Sequence, residues 1–185
     1  MKKDYRDLCI ICFGDSITEG YMVDSSLSYP SILERCIGIK CHNLGVSADT
    51  SIDGLKRMGQ VDSCLIRVKK AFVLIEFGIN DFFSGFSKGH FKENLKKIIE
   101  HILSKGHHPV ILGFKLDYPG VAKWTLVYEE LSDCYQIPLY PNIFHGLSTE
   151  AGDFFSDGLH PTQKGYEKLG SKICQFLLKG PLALL

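Results

Sequence analysis

The sequence predicts an α/β fold, a three-layer α/β/α arrangement around five parallel strands, on three observations. Short apolar runs alternate with segments of helical periodicity, and strands alternating with helices imply right-handed βαβ units. The strongest runs are apolar throughout, as strands covered on both faces must be. Polar residues collect where those runs stop, which is where open parallel sheets bind ligands. At 185 residues the chain is long enough for a core without staples, and residues 1–185 read as one domain with no linker, repeat or low-complexity tract.

The first strand is the run Leu8-Cys9-Ile10-Ile11-Cys12-Phe13, which empties into the turn Gly14-Asp15-Ser16. A helix follows over Ser26 to Ile37, where Tyr29, Ile32, Leu33, Cys36 and Ile37 keep helical spacing and Pro30 suits a first turn. Ile39 to Leu44 is a short second strand. The loop Gly45 to Thr50 leads to a helix near Ile52 to Met58, capped by Asp49 or Thr50. Ala71 to Phe77 is the most strand-like run and ends in Gly78-Ile79-Asn80-Asp81. Phe91, Leu95, Ile98, Ile99, Ile102 and Leu103 then form one face of an amphipathic helix that Gly106 ends. Pro109 to Phe114 is the fourth strand, followed by an irregular segment at 115–120, a helix from Val121 to Tyr135 and a short strand, Ile137 to Tyr140. Asn142 to Ser156 is a loop, and the last helix starts near Pro161 and buries Tyr166, Leu169, Ile173, Phe176 and Leu177. This alternation favours the flavodoxin-like strand order 2-1-3-4-5.

Bulk properties narrow the function. There are 21 basic and 21 acidic residues, scattered rather than clustered, so neither nucleic acid nor an anionic membrane is an expected partner. No stretch approaches the roughly 18 apolar residues of a membrane span. The charged segment Met1 to Asp7 and the short run after it do not read as a signal peptide, so a cytoplasmic location is expected. The seven cysteines, an odd number set mostly in apolar patterns, are expected to be buried free thiols in a reducing compartment. Cys9-x-x-Cys12 lies inside a strand, which favours two core cysteines over a redox pair. His42, His90, His101, His107, His108 and His145 lack metal-ligand spacing, and no metal or cofactor is expected.

Four segments carry the polar groups that acyl transfer needs: Ser16, the Ser47-Ala48-Asp49 loop, Asn80, and the pair Asp157/His160. A serine hydroxyl is a weak nucleophile until an imidazole takes its proton, and the imidazole needs a carboxylate to hold its tautomer. Donors for the oxyanion are a backbone N–H beside Ser16, a loop N–H and the Asn80 amide.

Gly14-Asp15-Ser16, Asn43 with Ser47 and Asp49-Thr50, Gly78-Ile79-Asn80-Asp81 and Asp157-Gly158-Leu159-His160-Pro161 resemble, in order, the four sequence blocks of the SGNH hydrolases, the GDSL-type lipases and esterases. Tyr29 to Leu33, Val73 to Gly78 and Phe154 to Gly158 are similar to the branch of bacterial acyl-CoA thioesterase, lysophospholipase and arylesterase enzymes. The resemblance implies the SGNH hydrolase fold, Ser16 as nucleophile, His160 as general base, Asp157 as its orienter, and an oxyanion hole from Ser16, Ala48 and Asn80. One position departs from the family pattern: Ala48 stands where a glycine usually precedes the Asp-Thr pair. A negative φ would suit alanine there, and a positive one would cost stability; Gly45 is the alternative donor.

Phe82, Phe83, Leu116 and Tyr118, with Phe86, are candidates for an apolar acyl groove. The expected reaction is hydrolysis of short or medium acyl esters or thioesters. A carbohydrate O-acetyl esterase would share the site and differ in its pocket. A non-catalytic flavodoxin-like binder of nucleotide or phosphate is disfavoured, because the first turn lacks the phosphate-loop lysine and dinucleotide glycine spacing. Both a monomer and a homo-oligomer are compatible with the sequence.

Overall fold

The computed structural model describes residues 7–66 and 68–184. The charged stretch at residues 1–6 lies outside the described residues. Five strands, β1 (Leu8–Gly14), β2 (Cys41–Gly45), β3 (Lys70–Glu76), β4 (His108–Leu112) and β5 (Leu139–Tyr140), form one sheet in the order β2-β1-β3-β4-β5. All four pairings are parallel, as the alternating pattern predicts. All seven residues of β1 and the last six of β3 are buried, which explains their apolar character up to Glu76 at the end of β3.

The helices are α1 (Ser16–Glu19), α2 (Tyr29–Ile37), α3 (Ser51–Lys56), α4 (Met58–Leu65), α5 (Ile79–Phe83), α6 (Lys88–Ser104), α7 (Val121–Tyr135) and α8 (Gln163–Lys179). One group pairs α2 with α8, and another packs α3 and α7 against α6. The predicted helix over Ser26 to Ile37 is shorter: Ser25–Leu27 is a 3-10 turn, Ser28 interrupts, and Pro30 sits in the first turn of α2. The predicted helix at Ile52 to Met58 is two helices broken at Arg57, with Thr50 at the first cap. The predicted strands at 39–44, 109–114 and 137–140 are trimmed or shifted, because only the residues that reach a neighbouring strand enter the ladder. Pro161 precedes α8 and bridges to Phe154 instead of entering the helix.

The expectation of free thiols throughout is corrected. Cys36 of α2 and Cys174 of α8 form a disulfide across a sequence separation of 138. Cys174 is buried on the core face of α8 while Cys36 stands at an exposed position of α2, and the contact between the two helices brings them together, which no single-helix pattern reveals. Cys9, Cys12 and Cys41 are buried free thiols as expected, whereas Cys64 is half-buried and Cys134 exposed.

The register aligns the carboxyl ends of three strands: Gly14 of β1 lies opposite both Gly45 of β2 and Glu76 of β3. Both glycines are required by close approach. A Cβ on Gly45 would collide with the backbone of Glu19, and one on Gly14 with Thr18 and with Glu76 Oε2 at 2.7 Å. The turns leaving these three strands therefore start from one level and converge.

Candidate active site

Asp15 caps α1, its carboxylate accepting the Ile17 N–H at 3.0 Å, and Gly20 ends this helix after one turn in the left-handed region. Ser16 is therefore the first residue of a short helix mounted on the end of β1. It is 8% exposed.

The loop after β2 is held from two sides. Ser47 donates both its N–H, at 2.8 Å, and its hydroxyl to Glu19 Oε2. The Asp49 carboxylate accepts from Arg57 Nε at 2.5 Å. The same guanidinium donates to the carbonyls of Leu44 at 2.7 Å and Gly14 at 2.8 Å, and lies 4.5 Å above the Phe13 ring. One planar cation thus ties the ends of two strands to the loop between them. Between these anchors Ala48 has φ +66°, the left-handed region that alanine enters at a cost. Among the described residues no acceptor takes its N–H. Gly45, the alternative donor, is committed: its N–H goes to Asn43 Oδ1 at 2.9 Å.

From β3, Gly78 leads into α5, which carries Asn80. The Asn80 Nδ2 donates to the Asp49 carbonyl at 2.9 Å and to Asp15 Oδ2 at 3.1 Å, linking all three turns. Buried Asp81 accepts the Ser51 N–H at 2.8 Å and the Ser51 hydroxyl, so α3 and α5 begin locked together.

The fourth part arrives on the loop before α8. Asp157 Oδ1 accepts the N–H groups of Leu159 at 2.9 Å and His160 at 3.0 Å, while Oδ2 lies 2.7 Å from His160 Nδ1. His160 Nε2 is 2.9 Å from Ser16 Oγ. An Nδ1–H shared with Asp157 leaves Nε2 as the acceptor for the serine proton. Partial burial pushes the Asp157 carboxyl up, but the Leu159 and His160 N–H groups and the imidazole outweigh it and hold the carboxyl below its ordinary value. The loop is pinned by Asp153, which accepts the Ser148 N–H at 3.0 Å and Lys168 Nζ at 2.6 Å.

A cavity of about 260 Å³ opens above these groups, lined by Ser16, Tyr21, Ser47, Ala48, Asn80, Leu159 and His160. Ser16, Ala48, Asn80 and His160 are thus brought together, with Asp157 behind the imidazole. The four apolar candidates stand apart from this lining. Phe82, Phe83 and Tyr118 pack edge to face, with centroids 5.3 to 5.7 Å apart, and Leu116 is half-buried against the core. Phe83 and Tyr118 are exposed, on and near the helix that carries Asn80. The cavity's own aromatic is Tyr21, whose ring lies 4.8 Å from that of His160. Its position directly after Gly20, in the segment that opens with Gly14-Asp15-Ser16, was the available signal.

The family model for the GDSL-like lipase/acylhydrolase family matches residues 12–168, a span containing Ser16, Ala48, Asn80, Asp157 and His160. The chain is 28% identical over 180 residues to an arylesterase of Vibrio mimicus, covering 92% of this chain and 88% of the relative. It is 24% identical to thioesterase 1/protease 1/lysophospholipase L1 of Escherichia coli strain K12, over 83% of this chain and 76% of that one. The crystal structure of TesA matches with a TM-score of 0.83 at 25% identity, covering 95% of this chain and 99% of the other. A five-stranded parallel sheet that converges three strand ends on Ser16, together with a match spanning most of the sequence, establishes that this chain belongs to the GDSL-like lipase/acylhydrolase family.

Proposed function

We propose that the chain is a serine esterase and thioesterase, cleaving short or medium acyl esters through an acyl-serine intermediate. The observation that carries this reading is the continuous relay of Ser16, His160 and Asp157, with contacts of 2.9 and 2.7 Å. Ser16 Oγ attacks the acyl carbonyl while His160 Nε2 takes its proton, and Asp157 stabilises the resulting imidazolium. The tetrahedral oxyanion is met by the N–H groups of Ser16 and Ala48 and by the Asn80 amide. Collapse expels the alcohol or thiol, which receives the proton from His160. Water then repeats the sequence against the acyl-serine.

The names of the relatives support both ester and thioester substrates. The exposed aromatic patch of Phe83 and Tyr118, packed against Phe82, supports an apolar acyl chain extending beyond the small cavity. Among the described residues no helix is long and apolar enough to cross a membrane. The cytoplasmic placement rests on the sequence, and the Cys36–Cys174 disulfide argues for an oxidising compartment instead. The continuous sheet supports residues 1–185 acting as one domain.

Labelling with a fluorophosphonate, followed by mass spectrometry, should place the adduct on Ser16. Turnover of p-nitrophenyl esters should fall by several orders of magnitude in Ser16→Ala and by roughly 100- to 1,000-fold in Asn80→Ala. An unlabelled folded protein, or near-normal turnover in Ser16→Ala, would overturn the assignment.

A further inference from the structure

Glu76 ends β3, an otherwise apolar strand past Lys70, and is 2% exposed; Asp15, beneath the nucleophile, is 1% exposed. Among the described residues neither carboxyl is paired with a lysine or arginine. Burying two carboxylates side by side without a cation is prohibitive, so the pair must hold a proton. Donors of the α1 turn hold Glu76 in place. Glu76 Oε2 accepts twice, from the Thr18 hydroxyl at 2.9 Å and from the Asp15 N–H at 3.3 Å. Tyr29, whose phenol is 3.0 Å from Thr18 Oγ1, donates to that hydroxyl. The contact from the Asp15 N–H sets the two carboxyls side by side, each perturbing the other. Burial lifts both groups, Asp15 to about 6 and Glu76 well above the ordinary range. The other titratable groups around them are Tyr29 of α2, Asp81 of α5, Tyr128 of α7, Tyr166 of α8 and His160.

Asp15 also competes with the reaction. Asn80 Nδ2 has two hydrogens, given to the Asp49 carbonyl and to Asp15 Oδ2. To reach an oxyanion, one of these must be released, and the 3.1 Å bond to Asp15 is the longer. A fully charged carboxylate would grip that hydrogen and would repel a second negative charge forming in the cavity. We propose that Glu76 is a positioning residue of this site: by donating to Asp15 it shares that carboxylate's charge, frees the Asn80 amide for the oxyanion and fixes Asp15 where it caps the Ser16 turn. The inference rests on the acyl-hydrolase reading above.

The test compares wild type, Glu76→Leu and Glu76→Gln on p-nitrophenyl butyrate across pH, with fluorophosphonate labelling alongside. Labelling of wild type at Ser16 checks the acyl-hydrolase reading separately; its absence sinks that reading rather than the role of Glu76. Glu76→Leu should lose 10- to 100-fold in kcat with KM within about threefold, a split that general loosening of the pocket would not give. Glu76→Gln keeps the acceptor and replaces O–H by N–H, so it should restore kcat to within about fivefold of wild type. At alkaline pH the wild type should lose kcat as Glu76 ionises, and the glutamine variant should not. Wild-type kinetics in Glu76→Leu, or a glutamine variant as poor as the leucine one, overturns the proposal. Should Glu76→Leu fail to fold, superimposable pH profiles of wild type and Glu76→Gln overturn it.

Discussion

Replacing Ala48 by glycine tests whether the loop after β2 is held in the conformation that presents its N–H to the cavity. At φ +66° the alanine Cβ crowds its own carbonyl, a cost of about 1–2 kcal/mol for an L-residue. Glycine removes that cost but gives up about 0.5–1 kcal/mol in backbone entropy. The net expectation is a stabilisation of about 0.5–1 kcal/mol, which for a chain of 185 residues raises Tm by about 1–4 °C. The assay is heat unfolding followed by circular dichroism, with kcat/KM on a p-nitrophenyl ester measured on the same preparations. Because the proposed donor is main chain, turnover should change by less than about fivefold. Gln136, at φ +51° at the end of α7, is the control: glycine there should stabilise without altering kinetics. A lower Tm in Ala48→Gly would mean that the loop does not hold the left-handed conformation, and a loss of activity beyond tenfold would mean that the alanine methyl, not the main chain, shapes the oxyanion hole.

Arg57→Met leaves half-buried Asp49 and two strand-end carbonyls without their donor, and should destabilise by about 1–3 kcal/mol, with kcat falling more than tenfold as the Ala48 loop relaxes; chemical denaturation and steady-state kinetics check it. Cys36→Ser removes a cross-link closing a long loop, and should cost about 2–4 kcal/mol in a melt compared with and without reductant, the wild type alone responding to reductant. Stability should also track the Glu76 proton. A buried acid raised above its unfolded value contributes stability that is full below that value and lost as pH rises, so wild type should weaken relative to Glu76→Gln by up to about 1.4 kcal/mol per pH unit above pH 5; a pH-independent gap would remove the proton from Glu76.

Most of the fold was legible because its strands are covered on both faces, so that β1 and β3 announce themselves as unbroken apolar runs. Strand ends were legible less well. Ile39 is buried like a strand residue but lies short of the ladder, since pairing with β1 begins at Cys41. Ser16, Asn80, Asp157 and His160 stood out as polar groups placed where apolar runs or loops end. Arg57 did not, because a lone arginine in an amphipathic segment looks like any solvated helix residue, and only the packing shows it turned inward over Phe13. Glu76 passed unremarked inside the run Ala71 to Phe77, and its partner Asp15 is 61 residues away in sequence. The disulfide and the sign of φ at Ala48 were illegible for the same reason: each is imposed by the approach of elements that share no local pattern.

Those hidden features have a common origin in the register of the sheet. Gly14, Gly45 and Glu76 share one level, and the missing side chains of the two glycines let the α1 turn descend until Thr18 reaches Glu76 and Glu19 lies against β2. With the turns that close, their polar groups cannot all be served by solvent. The site answers with one cation on the β2 side, Arg57, gathering carbonyls and the Asp49 carboxylate, and one buried acid pair on the β3 side, Asp15 and Glu76. Among the described residues Asn80 is the only side chain bonded to both systems, through the Asp49 carbonyl and the Asp15 carboxylate. Its amide is accordingly set by the balance between them, and a change at Arg57 or Glu76 should reach the oxyanion through that one group without touching Ser16 or His160.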